Sequence, residues 1–62
     1  MTRDDLILNL CAEAGDDVET DPSAVIEAFR ANHNAQDIDA AAAGDVEATV
    51  RLRQACGLPV FR

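Results

Sequence analysis

Residues 34–57 read NAQDIDAAAAGDVEATVRLRQACG, and this stretch decides the fold class. Asn34, with Asp37, can cap a helix whose body is Ala35 to Ala43, and Gly44 stops it. Asp45 caps the next helix, Val46 to Cys56, and Gly57 closes that one. A side-chain acceptor before each helix and a glycine after it is the ordinary punctuation of helix ends. Ile38 is the one large apolar residue of the earlier helix, and its alanines, Ala41 and Ala42 among them, allow a neighbouring helix to come close. In the later helix, Val46, Thr49, Val50, Leu52 and Cys56 are expected to form a wide apolar face, with Glu47 and Arg51 as an i, i+4 ion pair.

The same punctuation extends toward the N-terminus. Thr2 with Asp5 three residues later resembles a capping box. Leu6, Ile7, Leu10, Cys11 and Ala14 then share one face before Gly15, while Leu8 lies off that stripe, free for a second neighbour or for a partner. Asp21-Pro22 opens a further helix with the cap and then proline at the first helical position. Val25, Ile26 and Phe29 are its apolar face, His33 continues it, and Asn32-His33-Asn34 ends it. No strand-like alternation occurs before residue 57. The expectation is all-α: a compact bundle of three to four short helices, one domain over 1–62, with helices in 1–57 and an apolar extended tail at 58–62.

That tail, Leu58-Pro59-Val60-Phe61-Arg62, has two readings. It folds back onto a core that is short of large side chains, or it docks on another chain as an extended peptide. The shortage is real: of the 62 residues, twelve are Ala and only sixteen are Val, Ile, Leu, Met or Phe. A chain this short buries only about 60% of the surface its unfolded form exposes, and self-association or a partner would add to its stability.

The stretch from Ala40 through Gly44-Asp45-Val46-Glu47 and Val50-Arg51-Leu52 to Ala55-Cys56-Gly57 resembles the helix–turn–helix core of an ankyrin repeat, over about a third of the chain. It differs by one extra residue in the second helix and by lacking the Thr-Pro-Leu-His opening. It also stands alone, where stacked repeats need about three copies to bury a core. The resemblance implies no more than a short helical hairpin.

Charge bounds the function. Twelve acids face five basic residues, all arginine, for a net charge of −7. With abundant Ala, Asp and Val, the composition resembles that of a GC-rich genome, and a bacterial or phage source is the expectation. The negative charge opposes direct binding to phosphate backbones or anionic lipid. No apolar run approaches the about 20 residues of a membrane span, and Arg3, Asp4 and Asp5 precede too short an apolar stretch for a signal peptide. The expected location is cytoplasmic. Cys11 and Cys56 are then expected as reduced, partly buried thiols, with a bridge between them as the alternative.

No grouping of side chains suggests catalysis or a cofactor. Asp17, Glu19 and Asp21 alternate like the start of a calcium loop, but Pro22 stands where its glycine belongs and Ala28 where its bidentate Glu belongs. His33, Cys11 and Cys56 lack the close spacing of a zinc site, so His33 reads as a helix-end or core-edge residue. The expectation is a non-enzyme without metal or cofactor: a small acidic protein–protein interaction module, acting as adaptor, inhibitor or assembly subunit on another protein or on itself. Its apolar contact residues would be Leu8, Leu52, Arg53, Leu58, Val60 and Phe61. Arg53 has two readings, a stem packed flat with its head paired to an acid or an anchor at an interface centre. The alternative function is a nucleic-acid mimic that inhibits a DNA-binding protein or nuclease, with the acids Glu13, Asp16, Asp17, Glu19 and Asp21 as its contact surface.

Overall fold

A computed structural model describes residues 1–60. Four helices follow one another: α1 (Arg3–Glu13), α2 (Pro22–Asn32), α3 (Ala35–Ala42) and α4 (Val46–Ala55). No strand occurs among the described residues, and the chain is an all-α compact bundle with a radius of gyration of 10.7 Å.

Each helix starts where a short acceptor side chain meets a free backbone N–H. Thr2 accepts from the amide of Asp5, Asp21 from Ala24, Asn34 from Gln36 and Asp37, and Asp45 from Glu47. The α3 end shows how three of the four helices stop. Gly44, at φ +104°, donates its N–H to the Ala41 carbonyl, and Asp45 donates to the Ala40 carbonyl. This pair of bonds satisfies two end carbonyls but needs a left-handed residue, which glycine adopts without a Cβ penalty. The same pattern closes α1 and α4. Ala43 and Cys56 are therefore caps, and α3 and α4 each end one residue before the position read from sequence.

Packing is organised around α1, which contacts both α2 and α3, while α3 pairs most closely with α4. The core contains Leu6, Ile7, Leu10 and Cys11 from α1, Phe29 from α2, Ile38 and Ala41 from α3, and Ala48 and Leu52 from α4. Ala14, placed on the α1 face by spacing, is exposed, since it caps the helix beyond the covered turns. Leu8 is half-buried.

The α4 face differs from the expected one. Ala48 is fully buried at 0% exposure, whereas Val46 is 74% exposed. Positions 46 and 48 lie about 200° apart around a helix, so both cannot face the core. Ala41 of α3 and Ala48 of α4 belong to one core cluster, and small side chains on both helices let the backbones come close. With Ala48, one turn before Leu52, on the buried side, Val46 is turned outward. Thr49, Val50 and Cys56 are half-buried.

Among the described residues, four ion pairs each join two helices: Arg3–Asp39 at 3.0 Å, Arg30–Asp4 at 2.8 Å, Arg51–Asp37 at 2.9 Å and Arg53–Glu13 at 2.8 Å. Arg51 thus turns to α3 rather than to Glu47. Its Nε and Nη2 both donate to Asp37 Oδ1 across the α3–α4 contact. The solvent-exposed pairs are screened by water and add little to stability.

After α4, Leu58 is half-buried and packs against the core, and the Pro59 carbonyl accepts a 2.7 Å hydrogen bond from Arg53 Nε. Val60 is 39% exposed. Phe61, on which much of the tail reading rests, lies outside the described residues.

Candidate functional site

The α1–α2 connector and α2 enclose an open groove of about 510 Å³. Sequence builds it in steps. The α1 stop at Gly15 delivers the chain into Asp16 and Asp17. Asp17 then folds the connector back on itself: its carboxylate accepts from the backbone N–H groups of Glu19 and Thr20 at 3.0 and 3.2 Å and from the Thr20 hydroxyl at 2.6 Å. Such an Asx turn uses the short acidic side chain in place of a backbone turn. Asp21 caps α2 directly after it.

The floor of the groove is apolar, with Cys11 and Phe29 both buried. Val25 and the low profile of Ala28 make the α2 side. His33, one turn after Phe29, stacks its imidazole on the phenyl ring, with centroids 3.9 Å apart and planes 19° from parallel. Asp16 and Asp17 form an acidic lip. The three hydrogen bonds to Asp17 favour its charged form and hold its carboxyl below the usual range, so this charge persists into mild acid. No hydrogen bond to the Asp16 carboxylate occurs among the described residues, leaving it facing solvent.

Burial and the Asp16 charge both act on the thiols. Cys11 and Cys56 are both free. Burial first, and then the negative charge of Asp16, push each thiol above its ordinary range; Cys56 adds to the rise at Cys11, and Arg53 opposes that at Cys56. Both are therefore thiols, not thiolates, at neutral pH, and the thiolate is the nucleophilic form. Because the native state holds these protons more tightly than the unfolded chain, their stabilisation is complete below the unfolded thiol range. It is lost as pH rises through the native values. Iodoacetamide labelling of the native protein should accordingly be slow at neutral pH and quicken only in alkali. Asp16→Asn should speed the labelling of both cysteines, and unchanged rates in that variant would refute the electrostatic assignment.

The residues singled out from sequence fall in different places. Leu52 is in the core at 2% exposure and presents no contact surface. Arg53 is buried, with Nη1 on Glu13 and Nε on the Pro59 carbonyl, so its head is bound inside the fold. Leu58 is half-buried against the core, Leu8 is half-buried on α1, and Val60 is exposed. Phe61 lies outside the described residues. The apolar set thus makes no single face among the described residues. Of the acids, Asp16, Asp17, Glu19 and Asp21 stay together and exposed in the connector, while Glu13 is tied to Arg53. The groove itself was not read from sequence, although the four-residue spacing of Phe29 and His33 carried its aromatic wall.

Among the described residues no three His, Cys, Asp or Glu side chains are grouped to hold a metal ion, and no helix is long and apolar enough to cross a membrane. Compared with known proteins, the chain matches no family model, no curated protein and no solved structure.

Proposed function

We propose that this chain is a small acidic interaction module, an adaptor, inhibitor or assembly subunit that acts by binding a cationic protein. One observation carries the reading: the fold uses its arginines internally. Arg3, Arg30, Arg51 and Arg53 neutralise Asp39, Asp4, Asp37 and Glu13. Removing those four from the twelve acids leaves eight without an arginine partner among the described residues, and four of the eight are Asp16, Asp17, Glu19 and Asp21. The excess is thus concentrated in one connector rather than spread evenly. Such a field speeds encounter with a positive partner and repels a negative one.

Mimicry of nucleic acid is less well supported. Of its contact acids Glu13 is covered by Arg53, and Asp4, Asp37 and Asp39, which a wider surface would enlist, are covered as well, although Asp16, Asp17, Glu19 and Asp21 stay exposed. Self-association is the other partner class; the hollow beside Val46, Thr49 and Val50 on α4 would then be its seat. The two free thiols fit a reducing, cytoplasmic setting.

The test is affinity capture from host-cell lysate, with bound fractions eluted by rising salt. Basic proteins released by salt are expected, because exposed charge attraction is screened over about 10 Å at 0.1 M. A bound fraction no more basic than the lysate itself would sink the reading. Selective recovery of DNA-binding proteins through their DNA sites would favour mimicry instead.

A further inference from the structure

Resting on that reading, we infer that the groove beside α2 is the docking site for an arginine-bearing amphipathic helix of a partner protein. The guanidinium would lie at the Asp16–Asp17 lip against the His33 ring, and an apolar side chain would sit over Val25 and Phe29.

The chemistry of the walls selects this occupant. Two carboxylates flank an apolar floor, so a purely apolar guest would leave both charges beside it and partly stripped of water, at a cost. A purely polar guest would gain nothing from the floor. The guest must carry both characters side by side, as an amphipathic helix does at i, i+3 and i, i+4. Arginine fits better than lysine here. Its planar head pairs in a fork with carboxylates and stacks on a flat aromatic ring, whereas an ammonium is a compact, strongly hydrated point charge.

The site is also preorganised. Thr20 and two backbone amides hold the Asp17 carboxylate in place. Phe29, itself 5% exposed, holds the His33 ring by stacking. A partner therefore orders few groups on binding, which lowers the entropic cost of association. Ala24 and Ala28, one turn apart on the groove side of α2, allow a partner backbone to approach closely.

The test is selection from a displayed library of helix-forming peptides, randomised on one face, against the intact chain. Enriched peptides should pair arginine with Leu, Ile, Met or Phe three or four positions away. Their affinity should fall about tenfold or more for Asp16→Asn/Asp17→Asn, and as much for Ala28→Arg, which places bulk and like charge in the groove. All these positions are exposed, and unchanged circular dichroism will show each variant folded. Lysine in place of the selected arginine should weaken binding. Enriched peptides without arginine, or peptides that bind both variants as well as the parent, overturn the groove assignment. In the latter case, salt-sensitive binding of basic peptides would leave the broader acidic-module reading standing. Failure to enrich any basic peptide removes both.

Discussion

Ile7→Ala is expected to leave this chain largely unfolded at room temperature. Ile7 has 0% exposure, at the centre of the helix that contacts both α2 and α3. Removing a buried Ile side chain to Ala costs about 2–5 kcal/mol, through lost transfer energy and the cavity left behind. A single core of this size supplies about 3–5 kcal/mol in total, so one truncation at its centre is comparable to the whole margin. Urea unfolding followed by circular dichroism measures it. Leu8→Ala, one residue away but half-buried, is the matched control and should cost clearly less. Equal losses at the two positions would show that α1 does not pack in this orientation.

The second large effect is expected at Arg53. Its side chain is buried while its partner Glu13 is 49% exposed, so the pair is weaker than a fully enclosed one. Even so, Arg53 links three parts of the chain: its own helix, the end of α1, and the segment after α4 through the Pro59 carbonyl. Arg53→Ala removes a packed stem together with the bonds to Glu13 and the Pro59 carbonyl, and should cost about 2 kcal/mol. It should also loosen residues 58–60, seen as faster hydrogen exchange or carboxypeptidase trimming. Arg53→Lys should restore little of this, because one ammonium cannot place a donor on both Glu13 and the Pro59 carbonyl in the way Nη1 and Nε do. Glu13→Gln separates the two links, weakening the α1 contact but not the protection of the tail. A tail equally protected in Arg53→Ala would refute the role of Arg53 as its tether.

How much of this was visible in the chain itself varied with distance. Thr2, Asp21, Asn34 and Asp45 could be read as caps because each accepts from an amide two or three residues away. The stop at Gly44 is equally local. The burial of Leu6, Ile7, Leu10 and Cys11 followed from their spacing, since each pair one turn apart must share a face. The α4 face differs from the periodic expectation because periodicity weights large side chains, whereas close approach of two helices admits small ones at the contact. Ala48 is therefore inside and Val46 outside. Glu47 looked like the partner of Arg51 because it is four residues away, yet both Nε and Nη2 reach Asp37 Oδ1 on α3.

The candidate site divides along the same line. That the acids of the connector would be exposed, and that His33 follows Phe29 on one face, was present in the sequence. What the sequence alone determined, then, is the helical class, the four helix starts, and the excess of acid over base, because these depend on neighbours a few residues apart or on composition. Only the tertiary structure decided which acids the arginines neutralise, which face of α4 is buried, and that Asp16 and Asp17 line the same groove as Phe29 and His33. Those outcomes depend on contacts between helices far apart in the chain, where the way the backbones meet, rather than any local preference, selects the partner.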